Sequence, residues 1–247
     1  MVLTLFIPNN AFSSIFASKQ IPSTGQIVIA QPSIAFSSTF ETGDYSEWVG
    51  DGGGGIYGLE TGGNLTAVSS PVHSGSYAAE FTVPDPSVNG HIKLFRWRGI
   101  DLTSGYYSAW YYFPQNFQIN EWINIMQWKE KDSPYDHELV ILAKQALGVP
   151  TFAFFWRTST GEDCESANAA IPLDRWVHVE AFIKIDKVLG EVSIWVNGQL
   201  TYNKSNIETM GNTPTVQFGV GNYPGPNENK NLTFYVDDVT ASTTYVG

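Results

Sequence analysis

Apolar and polar residues alternate in short runs along most of the chain, a period of two that marks strands whose side chains point in turn to the two faces of a sheet. The runs that predict strands are Ala78–Val83, Ile92–Trp97, Tyr106–Phe113, Trp122–Lys129, Glu138–Ala143, Thr151–Arg157, Trp176–Ile185, Glu191–Val196, Thr215–Val220 and Leu232–Val239. Turn residues separate them at the rhythm of a sandwich or jelly roll. Asn197-Gly198 tolerates the positive φ angles of a type I′ turn and predicts a hairpin after Val196. The run Gly52 to Gly55 lacks the residues of a phosphate-binding loop and reads as a flexible loop. Long amphipathic helices are nearly absent, so the fold class is all-β.

The run Trp122 to Glu130 stands apart. Strict alternation puts Gln127, Lys129 and Lys131 on one face with Ile123 and Ile125, and Asn124, Met126 and Trp128 on the other. A strand that carries a Gln-x-Lys pair into an aromatic neighbourhood has the character of a sugar-binding groove.

Composition narrows the class. A chain of 247 residues with 23 Gly, 13 Pro, 35 aromatic side chains (15 Phe, 12 Tyr, 8 Trp) and 15% charged residues has the balance of an extracellular all-β domain with a sizeable core. The net charge of -11 argues against nucleic-acid binding. Seven of the 13 Lys and Arg nevertheless fall between positions 93 and 157: Lys93, Arg96, Arg98, Lys129, Lys131, Lys144 and Arg157. Such clustering fits either one basic groove or separate solvated faces. Cys164 is the single cysteine, so there is no intrachain disulfide, and its acidic neighbours Glu162, Asp163 and Glu165 disfavour a nucleophilic thiolate.

Residues 1–37 read as an apolar and Ser/Pro/Gly-rich leader or linker, either the remnant of an export signal or an extra strand, and residues 38–247 as one domain. The apolar part is too short for a stable membrane span. Three Asn-x-Ser/Thr sequons, at Asn64, Asn203 and Asn231, are compatible with export, and an extracellular or cell-surface location is expected.

Three blocks carry a family resemblance: Tyr106 to Pro114 followed by Trp122 to Lys129; Arg175 to Glu180 leading into Gly190 to Gly198; and Val220 to Tyr223 leading into Phe234 to Val239. In order and spacing they resemble the concanavalin A-like, heparin-lyase-like group of polysaccharide lyases, over about residues 38 to 245. The resemblance implies a jelly-roll β-sandwich of two antiparallel sheets and an anionic polysaccharide as partner. Such lyases cleave at C4 of a uronic acid by β-elimination, which requires the carboxylate charge to be neutralised, the C5 proton to be removed and the leaving oxygen to be protonated. Gln127 matches the Gln of the family's Gln-x-His strand, and Tyr223 matches the strand-end Tyr that acts as acid and base. Arg96 or Arg98 is the expected guanidinium clamp, since bidentate Arg suits a carboxylate. The departure is Lys129, where the pattern has His; a lysine at its ordinary pKa of about 10.4 is a poor base unless burial or a cationic neighbour lowers it. It could neutralise the uronate instead, and His137 could stand in for the missing imidazole. Trp97, Tyr107 and Tyr111 are expected to stack on sugar rings, with Lys93, Lys144 and Arg157 as further substrate-binding cations.

A second constellation pairs Glu41 and Asp44 with His73 and with Asp237-Asp238. By analogy with jelly-roll carbohydrate-binding modules it is expected to hold a structural Ca2+, with Glu41 and Asp238 as the main ligands, Asp44 and Asp237 as additions and His73 through its carbonyl. Two other readings of the chain remain: a non-catalytic carbohydrate-binding or lectin-like module, and a structural surface protein with a donated N-terminal strand. A glycoside hydrolase is disfavoured, because Glu162 to Glu165 is read as a loop and no strand carries paired carboxylates.

Overall fold

The computed structural model describes residues 33–86, 90–98, 100, 102–130, 138–158, 161–209, 216–228 and 230–247, all within one compact unit spanning Pro32–Gly247. The domain is a jelly-roll sandwich of two antiparallel sheets. One sheet contains β1 (Ile34–Ser38), β3 (Asn64–Val68), β4 (Ala78–Val83), β6 (Ser104–Tyr112), β11 (Trp176–Lys184), β12 (Gly190–Val196), β13 (Gln199–Ile207) and β15 (Leu232–Ser242). The other contains β2 (Gly54–Tyr57), β5 (Ile92–Arg96), β7 (Trp122–Glu130), β8 (Glu138–Ala146), β9 (Val149–Thr158), β10 (Gly161–Ala170) and β14 (Val216–Pro224). Its strand order is β10-β9-β8-β7-β14-β5-β2, so β7 and β14 lie side by side at its centre. One short helix, α1 (Ser46–Val49), packs beside the sandwich, and no helix among the described residues is long and apolar enough to cross a membrane.

The inner faces meet in an aromatic core that includes Tyr107, Tyr111, Trp128, Phe154, Phe218 and Phe234. Tyr107 packs edge-on against Trp128 at 5.4 Å between ring centroids, and the Tyr111 hydroxyl donates to the Ile125 carbonyl at 3.1 Å. Both tyrosines therefore tie the two sheets together. They lie in the core and not in the groove where the sequence places them, because β6 belongs to the opposite sheet and its odd-numbered residues face inward.

Four segments depart from the sequence reading. Gly161–Ala170 is a strand, not a loop; as the edge strand β10 it is exposed over much of its length, and the apolar alternation of a half-buried strand is missing. Gly54 and Gly55 begin β2, paired with Arg96 and Phe95. β1 pairs with the C-terminal half of β15, so the sandwich takes in residues that composition assigned to the leader. The hairpin at Asn197-Gly198 forms as expected, with φ of 49° and 75°.

The fourth departure shapes the groove. β7 carries a bulge: Asn124 and Met126 oppose the consecutive residues Leu142 and Ile141, leaving Ile125 as the extra residue. The bulge reverses side-chain parity halfway along the strand. Trp122 and Asn124 thus share the outer face with Gln127 and Lys129, while Ile123, Ile125, Met126 and Trp128 all enter the core.

Candidate functional site

The outer face of the β10-to-β2 sheet forms a groove with a cavity of about 1010 Å3. Strand pairing organises its floor into rows that run across the strands. One rim is the row Gln217, Lys129, Glu138, Arg157 and Glu162, in which each residue is paired with the next on the neighbouring strand. Arg157 lies 3.6 Å from Glu138 and 3.0 Å from Glu162, so its charge is balanced within the rim. The next row passes from Gly219 through Gln127, Val140 and Phe155 to Cys164. A third contains Tyr223, Asn124, Leu142 and Ala153.

The chemistry concentrates where β5, β14 and β7 adjoin. Lys93 begins on β5 and its Nζ donates to Gln127 Oε1 on β7, two strands away. β14 permits this crossing because it carries glycine at the intervening positions. A Cβ on Gly221 would lie 2.7 Å from Lys93 Cγ and 2.4 Å from the Ile92 carbonyl oxygen, so any side chain there would push Lys93 and β5 aside. Lys93 Nζ also lies 4.7 Å from the centre of the Tyr223 ring, and the His91 ring packs against Tyr223 at 5.0 Å between ring centroids. Burial pushes the Lys93 ammonium down to a pKa of about 7; Glu138 opposes that shift and Lys129 adds to it. Burial also lowers Lys129, again against the pull of Glu138, with Arg157 adding to the fall.

Gln127, Lys129 and Tyr223 thus share one groove, as expected, and Lys93, Lys144 and Arg157 line it with them. The expected guanidinium clamp is elsewhere. Arg96 has the parity of the core-facing Ile92 and Leu94; its guanidinium donates to the Glu47 and Trp48 carbonyls and to Asp51, and so fixes α1 and the turn after it. Arg98 is exposed beyond the end of β5 and does not line the groove. Trp97 is half-buried beside the groove, its ring 5.1 Å from the lining residue Phe95. His137 and Lys131 lie outside the described residues. Sequence alternation hides Asn124, which the bulge turns to the groove.

The expected calcium residues gather around the loop 72–77. Glu41 accepts from the Ser76 and Tyr77 amides at 2.8 and 2.9 Å, Asp237 from the His73 and Ser74 amides at 2.9 and 3.3 Å, and Asp238 lies 2.7 Å from His73 Nδ1. Asp44 Oδ1 instead accepts from the Ser46 amide at 2.9 Å. Among the described residues no three His, Cys, Asp or Glu side chains form a metal-binding group. As placed, these carboxylates fasten the loop by accepting N–H bonds. Burial raises Asp237 to a pKa of about 6 despite those bonds.

The groove is open, crosses one sheet of the jelly roll and is floored by amide, amine and phenol groups. The family model for polysaccharide lyases matches residues 40–240, and the chain belongs to that family. Among solved structures it is similar to the endo-β-1,4-glucuronan lyase of the fungus Trichoderma reesei, at 18% identity and a TM-score of 0.66 over 86% of this chain and 96% of that one. It is also similar to the cellulose-induced protein Cip1 (16%, 0.63, 86% and 99%) and to the alginate lyase vAL-1 of Chlorella virus (14%, 0.56, 81% and 98%). Comparison with curated protein sequences finds no match.

Proposed function

We propose that the protein cleaves a uronate-containing polysaccharide by β-elimination, with Lys93 and Tyr223 as the proton-transfer pair. The observation that carries this reading is the convergence of Lys93, Gln127 and Tyr223 on one point of the groove floor. Lys93 Nζ donates to the Gln127 oxygen, a bond that the neutral amine also makes through one of its N–H groups, which leaves the Gln127 NH2 for the substrate and the amine lone pair for the C5 proton. That NH2 and the Lys129 ammonium, two residues along on the same face, are suited to neutralise a uronate carboxylate.

The remaining steps are proton transfers. The neutral amine of Lys93 takes the C5 proton, the C5 electron pair forms the C4=C5 double bond, and the C4–O4 bond breaks as Tyr223 gives its proton to O4. Lys93 then returns the proton to the Tyr223 phenolate beside it, which restores both groups without consuming water. A base works best when its pKa lies near the working pH, and burial brings Lys93 there. Burial, one of the two conditions under which Lys129 could serve as a base, lowers Lys93 as well, which leaves Lys129 to neutralise the uronate.

Glucuronan lyase and alginate lyase activities in the structural neighbours make polyglucuronate and alginate the first polymers to try. Incubation with these should release products with the ultraviolet absorbance of a C4–C5 unsaturated uronate. Polymer that binds in the groove but gives no unsaturated product would leave the protein a carbohydrate-binding module and end the lyase reading.

A further inference from the structure

Beyond the proton-transfer centre the groove continues over a small apolar cluster of Val140, Leu142 and Ala153, against which Trp122, Phe155 and Cys164 pack. This cluster is separate from the core between the sheets and faces the groove. Trp122 is held at its margin by close backbone: a Cβ on Gly225 would meet its Cε2 at 2.8 Å and its Nε1 at 3.0 Å. Apolar surface edged by an indole suits the hydrophobic faces of pyranose rings.

Lys144 adds a charge to this surface. It is paired with Trp122 across β7 and β8, and its Nζ lies 3.6 Å from Cys164 Sγ on β10, so its side chain reaches over β9 along the floor. Ala153 leaves room for that passage. Among the described residues no carboxylate lies within ion-pair distance of Lys144, whereas Arg157 nearby has two. Among the described residues the Lys144 ammonium is therefore a groove cation without a carboxylate partner, its neighbour being a thiol. Lys144 starts on β8, one strand spacing from β7, and its side chain extends over β9, one spacing further, which places the line of this ammonium roughly 10 Å from that of Gln127.

We infer that Lys144 and the Trp122-edged apolar floor form a second uronate-binding position, about two sugar rings from the one that is cleaved. The inference rests on the lyase reading and narrows its substrate: the polymer carries carboxylates on a continuous stretch of residues, not on an isolated uronate in a neutral chain. Lys144 is a specificity residue here and takes no part in proton transfer.

The test is the rate of unsaturated-product formation from oligouronates of increasing length, for wild type, Lys144→Met and Lys144→Arg. Wild-type kcat/KM should step up once the chain is long enough to reach Lys144, by roughly tenfold for a charge-assisted contact. Lys144→Met should lose that step through KM while keeping wild-type rates on the shorter chains, and Lys144→Arg should restore it. A step of the same size in Lys144→Met overturns the inference and leaves the lyase reading standing. Wild type that cleaves no oligouronate or polymer removes both.

Discussion

Tyr223→Phe should lower the rate of unsaturated-product formation by about 10³-fold, with little change in the affinity for polymer. The substitution removes one hydroxyl. The ring remains to pack on His91 and Lys93, and Tyr223 still faces Asn124 across the β14–β7 pair, so the fold and the groove keep their shape. What is lost is the proton that O4 needs as it leaves. Steady-state kinetics on polyuronate, with affinity measured separately by calorimetry, check the separation: a matched fall in affinity and rate would mean that the tyrosine binds substrate and does not transfer protons.

Lys93→Met should abolish activity to a similar degree and yet make the protein more stable near neutral pH. The folded pKa of Lys93, about 7, lies below its value of about 10.4 in an unfolded chain. Between those values the unfolded state binds more protons, so stability rises with pH across that window. At and below pH 7 the cost of holding an ammonium in the groove floor is present in full. Methionine fills similar volume without charge and removes that cost, of the order of a few kcal/mol, less about 1 kcal/mol for the hydrogen bond that Gln127 loses. Thermal unfolding should show a higher midpoint for the variant at pH 6, with the difference shrinking as pH approaches 10. A variant less stable than wild type at pH 6 would mean that Lys93 is part of a stabilising network, not a strained catalytic group. A protein that retains a destabilising buried lysine in this way is expected to use it.

Much of this arrangement was legible in the chain. Strong alternation locates the central strands, and the blocks that resemble the lyases put Gln127, Lys129 and Tyr223 in the groove that they line. The misreadings have physical causes. Alternation gives parity only while the ladder is regular, and the bulge at Ile125 moved Asn124 and Trp122 to the groove without any mark in composition. It also cannot say which sheet a strand joins, so Tyr107 and Tyr111 read as sugar platforms although they bind the two sheets together. The chemistry of Arg96 suits a carboxylate, but its parity with Leu94 turns it from the Lys93 face. The importance of Lys93 depended on two glycines in a strand more than a hundred residues later, and only pairing of β5 with β14 brings Gly221 beside it.

The pH dependence of kcat/KM for unsaturated-product formation by the wild-type protein tests the proton-transfer assignment most directly. If the neutral amine of Lys93 is the base, the rate should rise about tenfold per unit at low pH, bend near its pKa of about 7 and level above it. A profile that is flat through this region, or that falls as pH rises through 7, would contradict the account.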